Sequence, residues 1–175
     1  MFEIKRQTGP FPVKRRFADA LAEWGRLLGC NGGALMVPGS LSYRHGLGFV
    51  ITREGADSND LHDSDLLFVK SWNHQAGELT IYGDGDPPPE TLWHAAVYQS
   101  RSGAIFVFFA RSDRAAELAG RMALRVVTVT GGRDLDAVQA ALGTGNILAI
   151  EGSGILSFGC TAEDAGRPLL TFGSH

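Results

Sequence analysis

Residues 34–82 read ALMVPGSLSYRHGLGFVITREGADSNDLHDSDLLFVKSWNHQAGELTIY. Five short apolar runs are spaced through this stretch: Ala34–Val37, Leu41–Arg44, Gly48–Thr52, Leu66–Lys70 and Leu79–Tyr82. Each has strand length and is bounded by turn residues, which predicts an antiparallel meander. Downstream the pattern changes. Gly83-Asp84-Gly85-Asp86-Pro87-Pro88-Pro89 must be a stiff loop, because three prolines fix φ and remove three donors. Glu90-Thr91 then opens a helix with an acid at the positive end of its dipole, and Leu92, Ala95, Ala96 and the ring of Tyr98 cover its inner side. Ala104–Phe109 is continuously apolar and reads as a strand buried on both faces. Asp113 to Ala123 reads as a helix with Leu118 and Met122 inward, Val126–Val129 as a strand, and Asp134–Leu142 as a helix with an acidic first turn. Ile147–Ile150 and Ile155–Phe158 read as strands joined through the turn Gly152-Ser153-Gly154. Upstream, Phe17, Leu21, Trp24 and Leu28 fall on one face of an amphipathic helix that Gly29 is placed to end. Strands first, then alternating helices and strands, point to an α/β fold with a mixed sheet and helices on both faces.

The whole chain suits one domain over residues 1–175, long enough to bury a core without disulfide staples. Its 44% hydrophobic and 20% charged residues are globular proportions. The 23 glycines, about twice the usual share, fit many short strands and tight turns. No apolar run reaches the length of a membrane span, and the start MFEIKRQTGPFPVKRR holds no apolar segment of secretory length, so the expectation is a soluble, cytoplasmic protein with no membrane partner. A net charge of −3 gives no general reason to expect a nucleic-acid partner. Cys30 and Cys160 lie too far apart in sequence to suggest a disulfide framework and are expected as buried thiols. Charge is uneven: the first segment carries Lys5, Arg6, Lys14, Arg15 and Arg16, while Arg53 to Glu90 holds nine acids against two bases. Such segments are either solvated surface or complementary patches between subunits.

Most chemical motifs fail on spacing. The five histidines form neither a His-x-His nor a His-Glu-x-x-His pattern, and neither cysteine has a neighbouring histidine, so no zinc motif is present. Asp84, Asp86 and Glu90 offer too few oxygens, on too stiff a backbone, for a calcium loop. Gly143-Thr144-Gly145 follows a predicted helix, not a strand, and lacks the context of a phosphate loop. Ser153 sits between glycines but outside a G-x-S-x-G elbow.

Several segments, in order, resemble the class II aldolase/adducin domain family. Gly39-Ser40-Leu41-Ser42-Tyr43-Arg44 stands where that family has Gly-Asn-hydrophobic-Ser-x-Arg. Phe49-Val50-Ile51-Thr52, Gly55 and Asp65-Leu66-Leu67-Phe68-Val69 follow in the family's order. Pro87-Pro88-Pro89-Glu90-Thr91, continuing to His94 and Tyr98, stands where the family has Pro-Ser-Ser-Glu-Thr and then His and Tyr on a helix. The resemblance spans roughly Phe17 to Phe158 and implies a three-layer α/β/α sandwich around a mixed, largely antiparallel sheet. It implies Glu90 as the acid/base carboxylate, with His94 one turn later, and a ligand pocket drawn from Ser40, Ser42, Arg44, Gly55 and Ser153.

The departures from the family are chemical. Its strand ends in a His-x-His pair that holds a divalent metal, usually zinc; Val107 and Phe109 stand there in this chain, and Ser153 stands for the third histidine. No histidine occurs between His94 and His175, whatever the register. The hydroxyls and the asparagine that hold a sugar phosphate are replaced by Pro88, Pro89 and Ser40. The family's C-terminal helix is expected to be truncated after Leu170. The expectation is therefore a domain without the metal and sugar-phosphate sites and with no cofactor, family zinc included. It would serve interaction or bind a small anionic ligand, and assemble as a homo-oligomer, commonly a tetramer in the family. Adducin's head domain resembles such a state. The alternative is a metal-independent lyase or isomerase acting on a small carbonyl compound, with Glu90 as acid/base, His94 beside it and Arg44 holding an anion. A cleft filled by Phe106, Val107, Phe108 and Phe109 would count against that alternative.

Overall fold

The computed structural model describes residues 3–31, 36–121, 124–128, 135–143 and 145–173. Nine strands pair into one sheet: β1 (Glu3–Gln7), β2 (Val37–His45), β3 (Gly48–Thr52), β4 (Leu66–Asn73), β5 (Glu78–Tyr82), β6 (Phe106–Arg111), β7 (Val126–Val127), β8 (Ile147–Ile150) and β9 (Gly154–Gly159). Their order is β1-β5-β4-β3-β2-β6-β9-β8-β7. Only the outermost pairs, β1 with β5 and β7 with β8, are parallel; the other six are antiparallel. The meander from β2 to β5 is joined by short turns at β2–β3 and β4–β5 and by the longer loop 53–65 at β3–β4, since antiparallel neighbours need no crossover.

Helices cover both faces. α1 (Arg15–Asn31), α3 (Ala115–Arg121) and α5 (Ala162–Gly173) pack on one, α2 (Thr91–Ser100) and α4 (Leu135–Ala141) on the other. Strand alternation divides the core accordingly. On β6, Val107 and Phe109 join the α2–α4 side, while Phe106, Phe108 and Ala110 join the α1–α5 side. The four residues expected to fill one cleft therefore split two and two. The three-layer α/β/α arrangement with a mixed, largely antiparallel sheet is as expected.

Several local expectations are corrected. α1 continues two residues past Gly29, since glycine permits a helix end without forcing one. The Leu41–Arg44 run and Val37 belong to one strand, interrupted by a bulge between Pro38 and Leu41; Ala34 and Leu35 lie outside the described residues. β6 begins at Phe106, after a turn at Ser102-Gly103, and α3 begins at Ala115. Met122, Val129 and Asp134 lie outside the described residues. α5 runs past Leu170 to Gly173, started by Thr161 and Asp164, each side chain accepting the other's backbone N–H at 3.0–3.1 Å. Cys30 and Cys160 are exposed, not buried, because each falls near the solvent side of a helix end.

The basic first segment is an edge strand, β1, with all five residues exposed. Three of its five cations pair within the chain: Lys5 with Glu78, Arg6 with Asp86 and, at the start of α1, Arg15 with Asp63. Arg6 also donates to the carbonyls of Gly83 and Gly85 and so pins the loop before the prolines. The acidic and basic segments meet inside one subunit.

Candidate functional site

Register places one end of the sheet as the meeting point of the candidate residues. The start of β2, the end of β6 and the start of β9 are adjacent there, through Val37 opposite Arg111 and Arg111 opposite Gly154. The end of β3 lies on the far side of β2, where the Leu41 N–H donates to Thr52 Oγ1 at 3.1 Å. α2 begins at this end. Its start is docked by Thr91, whose N–H and hydroxyl both donate to the Pro88 carbonyl, at 3.0 and 2.6 Å. The proline loop thus hands over directly to the helix that carries Glu90, His94 and Tyr98.

Glu90 is the residue before the first turn of α2 and is 3% exposed. Its Oε1 is buried without a hydrogen-bond partner, and the nearest cation is the Arg111 guanidinium at 3.8 Å. That separation is an ion pair and too long for a hydrogen bond. Arg111 is 54% exposed. The wall beside Oε1 is backbone and ring: a Cβ added to Gly39 would lie 2.7 Å from Phe109 Cδ1 and 3.3 Å from Glu90 Oε1. Glycine is required there, because a side chain would collide with the Phe109 ring.

His94 does not join Glu90. It is fully buried, and both ring nitrogens are bonded to serines: Nε2 to Ser40 Oγ at 2.9 Å and Nδ1 to Ser42 Oγ at 2.7 Å. Ser42 Oγ also meets the Tyr98 hydroxyl at 2.8 Å and donates to the Val107 carbonyl at 3.2 Å. A hydroxyl has one proton, so Ser42 accepts from the imidazole Nδ1–H and from Tyr98, while Nε2 accepts from Ser40. This tautomer satisfies every member of the network. Burial, with no carboxylate bonded to the ring, pushes His94 down to about 3, so the imidazole is neutral at physiological pH. Burial raises the Tyr98 phenol, an effect partly offset by the Ser42 bond and by Arg44.

The remaining sequence candidates fall in two places. Arg44 closes the other end of α2, donating to the carbonyls of Tyr98, Arg101 and Ala104 at 2.8–2.9 Å and lying over the Tyr98 ring at 4.9 Å. These bonds satisfy carbonyls of the helix terminus and, at Ala104, of the segment that follows it, so its donors face the chain's own backbone and not the Glu90 end. Gly55 lies in the turn after β3 with φ +72°, a conformation that explains a glycine without any ligand. Ser153 sits half-buried in the turn before β9, its carbonyl accepting from the Ser112 N–H at 3.0 Å. Glu90, Gly55 and Ser153 thus share one end of the sheet, whereas Ser40, Ser42 and His94 form a separate internal network. Sequence reasoning missed Arg111; its signal is a lone arginine ending an otherwise apolar strand.

The side chains at this end do not fit a divalent cation. Val107 and Phe109 are buried in the α2-side core, and Phe109 packs edge-on against Trp93 with centroids 5.3 Å apart. Neither has a lone pair to donate. Among the described residues no three His, Cys, Asp or Glu side chains come together as a metal site.

Comparison with known proteins bears on the fold. The family model described as the class II aldolase and adducin N-terminal domain matches residues 19–172. Among solved structures, L-fuculose-1-phosphate aldolase from Thermus thermophilus has 21% sequence identity and a TM-score of 0.70, covering 92% of this chain and 90% of its own. YgbL from Klebsiella pneumoniae, described as a putative aldolase/epimerase/decarboxylase, has 18% identity and a TM-score of 0.69, with coverage of 93% and 89%. The N-terminal class II aldolase domain of a Thermoplasma acidophilum protein has 15% identity and a TM-score of 0.64, with coverage of 96% and 94%. No curated protein matches the sequence. Among the described residues no helix is long and apolar enough to cross a membrane.

Proposed function

This chain belongs to the class II aldolase and adducin N-terminal domain family, and from that premise we propose that residues 1–175 form one such domain that works without the family's metal and sugar-phosphate sites. Its role is binding: self-association as a homo-oligomer, with a small ligand held at the Glu90 end of the sheet. The observation that carries this reading is Phe109. Its ring lies between Trp93 and Gly39, beside the Glu90 carboxyl, in a position that the resemblance gives to a metal-binding imidazole. Cleavage or formation of an aldol bond builds negative charge on the substrate oxygen. A carboxylate can move the proton but repels that oxyanion. Phe109 and Val107 supply none of the charge that a metal would, and Pro88 and Pro89 offer a phosphate neither hydroxyl nor N–H.

The test is to incubate the purified protein with zinc or manganese, remove unbound ion by dialysis, and measure retained metal and cleavage of L-fuculose 1-phosphate. The expected result is no stoichiometric metal, no turnover, and an oligomer by light scattering. Near-stoichiometric metal with turnover abolished by Glu90→Gln would overturn the proposal. A second reading, a metal-independent lyase or isomerase, draws on one observation: the partnerless buried Oε1 of Glu90. It requires turnover of a small carbonyl compound in the presence of chelator and its loss in Glu90→Gln.

A further inference from the structure

Glu90 and Arg111 hold complementary hydrogen-bonding capacity that no described residue uses. Glu90 Oε1 is an acceptor, buried and without a partner. The Arg111 guanidinium, over it at 3.8 Å and half-exposed, is hydrogen-bonded to no described residue. Leaving a carboxylate oxygen unpaired in a buried place is costly, and a donor that reaches it recovers that cost. A guanidinium presents a planar fork of N–H donors that matches a carboxylate. We infer that Glu90 and Arg111 together bind a small carboxylate carrying a hydrogen-bond donor, hydroxyl or ammonium, on the adjacent carbon.

This inference rests on the small-ligand part of the proposed function and names the ligand's chemistry. The ligand carboxylate takes the Arg111 fork, and the neighbouring donor takes Glu90 Oε1. The adjacent-carbon spacing follows from the 3.8 Å that separates the two protein groups. Charge selects the ligand's anion. One arginine balances one buried carboxylate, so a monoanion adds one uncompensated charge and a zwitterion adds none. A phosphate dianion adds two beside Glu90, with Pro88 and Pro89 unable to donate to it. On the other side Gly39 and the Phe109 ring pack close to Oε1 and offer it no donor.

The experiment is titration of the intact protein, by calorimetry and by amide NMR shifts, with lactate, alanine, propionate and inorganic phosphate. Lactate tests the hydroxyl source and alanine the ammonium source. Propionate lacks the donor. Binding of lactate or alanine at least tenfold tighter than propionate and phosphate is expected. Arg111→Ala, at an exposed position that should not perturb folding, should weaken that binding about tenfold or more. Arg114→Ala, on the surface and paired with Glu117, should leave it unchanged. Propionate binding as well as lactate and alanine, or no binding of either by the millimolar range, would overturn the inference. Absence of binding without metal uptake or sugar-phosphate cleavage would overturn it alone. Metal uptake with cleavage would overturn the proposed function itself.

Discussion

Replacing His94 by glutamine should remove about 2 kcal/mol of the protein's sensitivity to mild acid. The imidazole is fully buried between Ser40 and Ser42, and burial holds it down at about 3 against 6.5 when unfolded. The unfolded chain therefore takes up the proton first as pH falls. Stability from this group is complete above about pH 6.5 and is lost progressively towards pH 3, at about 1.4 kcal/mol per pH unit. At pH 5 the loss relative to pH 7.5 is about 2 kcal/mol, which moves a urea midpoint by about 1 M for a slope near 2 kcal/mol/M. Glutamine keeps a donor and an acceptor but cannot protonate. His94→Gln should be less stable at pH 7.5 yet lose about 2 kcal/mol less than the parent between pH 7.5 and 5. The carboxylates whose values are lowered by their partners, Asp63, Asp164 and Glu117, lose their contribution at lower pH. His45, lowered by burial, acts in the same direction in both proteins and cancels in the difference. The assay is urea unfolding followed by tryptophan fluorescence at both pH values. An imidazole NMR signal of His94 titrating near 6.5, or a glutamine variant with the full acid loss, would refute the neutral, serine-held imidazole.

Two further outcomes follow from the same geometry. Arg44→Met removes three charged hydrogen bonds to carbonyls at the end of α2 and should cost about 2–4 kcal/mol, a fall in melting temperature on the order of 10 °C, with lactate or alanine binding at the Glu90 end retained. Loss of ligand binding in the still-folded variant would place Arg44 in the site instead. Cys30 and Cys160 should both react with a thiol reagent without denaturant, since both are exposed. Cys160 should be the slower near pH 8, because its hydrogen bond to Asp164 and that carboxylate's charge raise the thiol. Equal rates, or a thiol that reacts only in denaturant, would contradict this.

The fold was largely legible because its strands are short apolar runs punctuated by turns, and because β6 is apolar up to its final Arg111. What escaped was set by partners distant in sequence. β1 carries EIKRQ, which has no period-2 apolar face, and is a strand because β5 offers it an open edge and Glu78 and Asp86 its ion pairs. α5 did have a local signal, Thr161 with Asp164 three residues on, but Pro168 and Gly166 obscure the helical period. In the site, Glu90, His94 and the two serines were readable as residues but not as neighbours. Sequence spacing put His94 on the Glu90 face of α2, and both do face β2, but two hydroxyls there satisfy both imidazole nitrogens, so His94 makes no pair with Glu90. Arg111 was not legible, since nothing local says that an arginine ending a strand lies over a buried acid.

The seam between α2 and β2 explains why one acid is left over. Four residues of helix rise about 6 Å, and two residues of strand rise about 6.6 Å, so Glu90, His94 and Tyr98 advance along α2 almost in step with alternate residues of β2. Ser40 and Ser42 meet His94, Ser42 also meets Tyr98, and Arg44 lies over the Tyr98 ring. Continuing the series one step towards the end of the sheet, the β2 residue opposite Glu90 would have to come from before Ser40. The chain is bulged there, between Pro38 and Leu41, and the residue it presents is Gly39, which has no side chain. Every polar residue in the seam therefore has a partner from β2 except the first. Glu90 faces a bare backbone on one side and a loosely held arginine on the other, so a partner for its Oε1 must come from Arg111 moving inward or from a molecule entering beneath it. These alternatives separate cleanly. If Arg111 closes onto Glu90 in solution, Arg111→Ala destabilises the fold. If a ligand takes that place, the same substitution costs little stability and most of the binding.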